Sequence, residues 1–288
     1  MRVAAVQTGP VDDRPANAVR RAFDQLGDRT PDLVVFPELF SLPFWCVGHT
    51  RQRYFDWAED LDGETLTTAR EEVATRGCHA VVPFFERGTV AGQYFNSAAV
   101  IGPDGSLIPG VLPTGEQAPV YRKNAISSYN WGGAVNDEKY YFRNGPGFPT
   151  FPTAIGKLGV LVCYDRWFSE AWRVLALEGA EVICVPNASS GAVSELFVPS
   201  IRTWSAQNVV FSVAVNRAGH ETVDGTSTQY YGLSCVVSPR GKVLAVAPEG
   251  APAVTSAVID LDEVSAARMD QTMYRDRRPE LYSPLTRT

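Results

Sequence analysis

The chain has 288 residues, of which 45% are hydrophobic and 11% aromatic, the composition of a packed globular protein rather than a disordered one. Its formal net charge is −6 at pH 7, and Lys and Arg form no long run, which argues against a nucleic-acid partner. No basic segment followed by an apolar signal core opens the chain, and no apolar stretch approaches the roughly 20 residues a bilayer requires; a cytoplasmic protein with no membrane partner is the expectation.

In chain order, apolar runs and alternation predict strands over residues 2–7, 32–36, 79–84 and 94–101, with helical patterns over 15–26 and 63–76 between them. Pro103-Asp104-Gly105 is a turn signal that closes a hairpin. Further strands are expected over 118–122, 158–162, 182–186, 209–215, 233–238, 243–246 and 254–259, with a second hairpin turn at Pro239-Arg240-Gly241. Strand 158–162, helix 169–178 and strand 182–186 have the spacing of a βαβ crossover, and Gly179 suits the helix C-terminus. With no linker, repeat or charge run to mark a boundary, residues 1–288 read as one α/β domain.

Three reactive side chains each follow an apolar strand. Glu38 comes after 32–36, Lys123 after 118–122 and Cys163 after 159–162. Strand ends line the crevices of α/β sheets, so the three are candidates for one site. A thiol with a reference pKa of about 8.5 needs a base or a cation beside it to act as a nucleophile at neutral pH. Glu38 can take its proton, and Lys123 with the Tyr164 N–H can stabilise an oxyanion, a set suited to acyl transfer to water.

These residues lie in segments that resemble one family. FPELF around Glu38, YRK at Lys123 and GVLVCYDRWFSEAW around Cys163, in that order, resemble the nitrilase superfamily of carbon–nitrogen hydrolases. DEKYYFRNG, ALEGAEVICVPNAS and RDRRPELYSPL extend the likeness over nearly the whole chain. The resemblance implies a four-layer αββα sandwich, extended to αββα-αββα across a homodimer or larger oligomer. It implies a Glu38-Lys123-Cys163 triad, a thioester intermediate and neither metal nor organic cofactor. It also implies that Glu138 helps hold the substrate amide and the lysine, and that a C-terminal extension from about residue 262 to 288 packs at the oligomer interface. Tyr164-Asp165 after the nucleophile, in place of the Trp-Glu of true nitrilases, is similar to the branches acting on N-carbamoylputrescine, β-ureidopropionate and N-carbamoyl-D-amino acids. The segment after Lys123, Asn124-Ala125-Ile126, lacks the histidine many of those relatives carry.

Simpler readings stand beside these. Cysteine is among the most buried residue types, which suffices for Cys184 and Cys235 and, as packing or partial exposure, for Cys46 and Cys78. The odd count of five and the absence of a CxxC pair argue against a disulfide framework or a zinc cluster. Arg166 is as well explained by an ion pair as by a substrate carboxylate. Phe44, Trp45, Tyr129 and Trp131 suit a pocket wall or a core, and Tyr164, Trp167, Asn130, Asn187, Ala188 and Ser189 complete the candidate substrate contacts. His49, His79 and His220 lack metal-ligand spacing and sit in no matching motif; a Cys-His hydrolase, which would need one of them beside Cys163, is the rival reading. The leading expectation is a hydrolase of N-carbamoyl amines, N-carbamoyl amino acids or small amides, with water as co-substrate. An ω-amidase, a nitrilase and a catalytically silent interaction module are the alternatives.

Overall fold

The computed structural model describes residues 1–131 and 134–287, and the side chains at 130, 131 and 134 lie outside that description. Buried β-branched runs build two sheets. The first has six strands in the order Ala253–Val258, Arg2–Gln7, Leu33–Val35, His79–Arg87, Tyr94–Ile101 and Tyr121–Arg122. The second has eight, in the order Val243–Val246, Cys235–Val237, Phe211–Val215, Val182–Pro186, Gly156–Val160, Thr150–Thr153, Gly110–Val111 and Gln117–Ala118. Each sheet has a parallel centre, Val3 opposite Leu33 in one and Leu158 opposite Val182 in the other.

Side chains alternate between the faces of a strand, and here both faces are covered. Val3, Ala5, Leu33 and Val35 meet Leu158, Val160, Val182 and Val213 between the sheets. Ala4, Val6 and Val34 point the other way, onto Val19 and Phe23 of helix Pro15–Asp24 and Leu66 and Val73 of helix Glu64–Arg76. Ile183, Val185 and Ala214 point outward from the second sheet, onto Trp172 and Leu175 of helix Ser169–Leu177 and Phe197 and Ile201 of helix Ser194–Asn208. The expected αββα layering is present. Cys184 lies between the sheets and Cys235 beneath the second pair of helices, both as core residues.

The βαβ crossover is present, with parallel pairing of Gly156–Val160 and Val182–Pro186 and with Gly179 at φ +87° after the helix. Two expectations are corrected. The single strand over 118–122 is two, one in each sheet, because Pro119 offers no N–H to a ladder and the chain crosses from one sheet to the other there. Residues 209–215 do not form one strand: Val209 closes helix Ser194–Asn208 in a left-handed conformation (φ +50°), and the strand begins at Phe211. That helix carries Pro199 in its interior, which obscures it in the sequence. No helix of the described residues is long and apolar enough to cross a membrane.

Candidate active site

The three strand ends converge. The chain leaves Leu33–Val35 through Phe36-Pro37, and Glu38, fully buried, donates its N–H to the Asn187 carbonyl at 3.3 Å. Its Oε1 accepts from Asn96 Nδ2 (2.7 Å) and Lys123 Nζ (2.8 Å), while Oε2 is buried without a partner. A buried, unpartnered carboxylate oxygen is a ready proton acceptor.

Lys123 follows Tyr121–Arg122, the edge of the first sheet; its N–H donates to the Asn96 carbonyl and its own carbonyl accepts from Gly145 N–H, both at 2.8 Å. The ammonium donates to two carboxylates, to Glu138 Oε2 at 2.6 Å as well as to Glu38. Glu138 opens the short helix Glu138–Tyr141, and its Oε1 accepts from Ser127 Oγ at 2.8 Å. Burial opposes the charge on Lys123, but Glu138 and Glu38 outweigh it and hold the ammonium well above its ordinary pKa. Burial pushes the Glu138 carboxyl up, against the pull of Lys123.

Cys163 begins a tight turn, Cys163–Trp167, with φ +48°. A non-glycine residue there costs of order 1–3 kcal/mol and persists only where its surroundings impose it. Asp165 supplies part of that imposition. It is buried and accepts from the Val162 N–H (3.0 Å), the Asn124 and Ala125 N–H groups (3.2 and 2.7 Å) and the Tyr121 hydroxyl (2.5 Å). One carboxylate thereby ties the cysteine turn to the segment that carries Lys123. Burial raises Asp165 to about 6 despite those donors.

The Cys163 thiol is reached from a cavity of about 510 Å³. Its Sγ lies 3.5 Å from Ser189 Oγ and 3.9 Å from Arg166 Nη1. Burial first and the Glu38 charge second push it up to about 11, against Lys123 and Arg166. Burial and the neighbouring carboxylate thus favour the thiol over the thiolate.

Of the candidate substrate contacts, Tyr164, Arg166, Trp167 and Ser189 line the cavity, as do Tyr129 and Ala188. Phe44 and Trp45 do not. Both are 1–2% exposed in an aromatic cluster, with Trp45 against Trp57, Phe85, Tyr141 and Phe142, because large rings gain most by full burial. Asn187 does not line it either; it is fully buried, with Nδ2 on the Val185 and Val215 carbonyls and Oδ1 accepting from Arg166. Arg166 forms no ion pair among the described residues. Its Nη1 donates to the Cys163 carbonyl (3.0 Å) and Asn187 Oδ1 (3.1 Å), and the guanidinium lies over Trp167. The side chains of Asn130 and Trp131 lie outside the described residues.

Sequence reasoning missed Asn96, Asn216 and Arg217. Asn96 and Arg217 bind Glu38, and Asn216 holds the Ser189 N–H and carbonyl at 2.8 and 3.0 Å. Asn216-Arg217 directly after an apolar strand was the available signal.

With this geometry in hand, comparison with known proteins fixes the class. Residues 2–269 match the carbon–nitrogen hydrolase family model. The chain is 33% identical to an N-carbamoylputrescine amidase of Solanum lycopersicum, over 98% of this chain and 94% of the relative. It is 32% identical to a citrullinase of Francisella tularensis, over 100% and 98%. A crystal structure of a carbon–nitrogen hydrolase from Helicobacter pylori superposes with a TM-score of 0.87 at 26% identity, covering 100% of this chain and 98% of that one. The chain belongs to the carbon–nitrogen hydrolase family and is an amidohydrolase of nitrilase fold.

Proposed function

We propose that this enzyme hydrolyses N-carbamoyl amines, N-carbamoyl amino acids or small amides through a thioester on Cys163, with Glu38 as base and Lys123 as oxyanion partner. The observation that carries the reading is the buried Glu38–Lys123–Glu138 trio beside a strained, pocket-facing thiol. Glu38 takes the thiol proton on its unpartnered oxygen as sulfur attacks the carbonyl carbon. The oxyanion is met by the ammonium proton of Lys123 that neither carboxylate binds and by the Tyr164 N–H. Glu38 returns the proton to the departing nitrogen, the C–N bond breaks, and an amine or ammonia leaves. Glu38 then deprotonates water, which attacks the thioester; the C–S bond breaks and the thiolate recovers the proton. A carbamoyl group released this way decomposes to carbon dioxide and ammonia.

The relatives named for N-carbamoylputrescine and citrulline support a ureido head group. The tail is a separate matter. Glu138 is the sole carboxylate among the described lining residues, and it is already bound to Lys123, so no free carboxylate described there faces a diamine's distal ammonium. Self-association is part of the same proposal: Phe168, Leu177 and Leu196, on or beside the two outer helices of the second sheet, are exposed in the single chain, as are Leu281, Tyr282 and Leu285 of the C-terminal extension. A single-chain mass in solution would count against it.

Ammonia release across carbamoyl-amines, carbamoyl-amino acids, ω-amides and nitriles tests the substrate class. Cys163→Ala should abolish turnover of whichever compound is active, with an acyl adduct seen by mass spectrometry only in the parent. Near-normal turnover by the variant would refute the mechanism.

A further inference from the structure

Arg217 is 1% exposed, does not line the cavity and stands 179 positions from Glu38 in the chain. It is also the most heavily committed cation in the described structure. Nε donates to the Glu38 carbonyl at 3.1 Å, and Nη2 donates to the Leu39 carbonyl and, at 2.7 Å, to the Leu42 carbonyl. Nη1 faces Glu221 Oε1 at 3.3 Å. Glu221 in turn accepts from the Phe44 N–H at 2.8 Å and the Val11 N–H at 3.2 Å, so the pair fastens both ends of the 38–44 loop. The guanidinium is flanked by the rings of Phe44 and Tyr230.

The clamped loop is not relaxed. Leu39, next to the base, holds φ +49°, a conformation that branched L-residues avoid. The carbonyls of residues 38, 39 and 42 converge on one guanidinium, and a planar fork of five donors is the side chain that can bridge several acceptors at once. On the other side of the loop, the Glu38 N–H is fixed by Asn187, whose side chain receives Arg166, which also holds the Cys163 carbonyl. The backbones of the thiol and the carboxylate are thus joined through Asn187, and Arg217 closes the free side.

We propose that Arg217 is the positioning residue for Glu38: it holds the strained loop that aims the unpartnered carboxylate oxygen at the Cys163 thiol. This rests on Glu38 being the base. The role needs the fork and not merely the charge, because lysine keeps the counter-ion of Glu221 but cannot span three carbonyls.

The test compares Arg217→Lys, Arg217→Met, the charge-neutral pair Arg217→Met/Glu221→Gln, and Glu38→Gln in the full chain. Steady-state ammonia release from the active compound is read together with the pH profile of Cys163 alkylation by iodoacetamide and with the folded fraction by near-UV circular dichroism. Misplacing a reacting group by about 1 Å costs about 10²-fold. Arg217→Lys and the double variant should therefore stay folded and lose about 10- to 100-fold in kcat with KM changed less than about threefold. Their alkylation profiles should shift relative to the parent, since the Glu38 carboxylate, whose charge adds to burial in raising the thiol pKa, has moved. Native kcat and a native alkylation profile in Arg217→Lys and the double variant would overturn the proposal. So would a loss of activity that only follows the loss of folded protein. Glu38→Gln separates the two levels: if it retains turnover, the assignment of the base fails, whereas an inactive Glu38→Gln beside fully active Arg217 variants leaves the base standing and removes only the clamp.

Discussion

Replacing Lys123 by methionine leaves two buried carboxylates with no cation between them. In the parent, Nζ lies 2.8 Å from Glu38 and 2.6 Å from Glu138, and all three side chains are at most 1% exposed. The trio carries one excess negative charge with the ammonium and two without it. Removing one partner of a buried ion pair costs about 3–5 kcal/mol, mostly as the penalty of the charge left behind. The folded chain can relieve that penalty by protonating a carboxylate, whose folded pKa then lies above its unfolded value of about 4.3. Folded protein then binds more protons than unfolded protein, so stability falls as pH rises through that folded pKa and is recovered as pH falls. Lys123→Met should therefore be about 3–5 kcal/mol less stable than the parent at pH 8, with a smaller deficit near pH 5. Turnover should fall by about 10²–10³ or more, since on the proposed mechanism an oxyanion partner is gone. Urea unfolding at the two pH values and ammonia release measure these effects, and adding Glu138→Gln should recover stability without activity. An unfolding free energy within about 1 kcal/mol of the parent at pH 8 would mean that the two carboxylates do not depend on the ammonium for their burial.

Asp165→Asn should lower turnover at every pH, because a neutral amide cannot accept from four donors at once, and it should abolish any loss of activity centred near pH 6, where the parent's carboxyl titrates. The folded pKa of about 6 exceeds the ordinary 3.8, so this group's contribution to stability declines as pH rises from about 4 to about 6; the variant should lack that slope in urea titrations. Gly145→Ala should impair both stability and kcat, since a Cβ there would overlap the Arg122 carbonyl oxygen, one residue before Lys123. Circular dichroism melts and ammonia release decide it; a variant equal to the parent in both would mean the Lys123 segment yields without displacing its ammonium.

The placement of the reactive groups was legible in the sequence because it is local. Glu38, Lys123 and Cys163 each follow a short apolar run, and a run that must be buried on both faces delivers its next polar residue to a sheet end. The α/β class was legible from interleaved strand and helix patterns, whereas the αββα layering came from the family resemblance. Tertiary structure decided what depends on partners distant in the chain. Whether Phe44 and Trp45 wall a cavity or fill a core turns on Tyr230 for the one and on Phe85, Tyr141 and Phe142 for the other, which no spacing around residue 44 reveals. Asn187, a candidate substrate contact in the sequence, is a buried brace in the folded chain, because its side chain is taken up by the Arg166 guanidinium and the Val185 and Val215 carbonyls. Arg217 reads in the sequence as an ordinary cation after a strand; only the folded chain brings the carbonyls of residues 38, 39 and 42 to it. The sequence by itself determined which reactive groups this protein carries and that they lie at strand ends, a property of short-range burial. Their orientation, including the left-handed turns at Leu39 and Cys163, was decided by long-range hydrogen bonds that exist only once the two sheets have met.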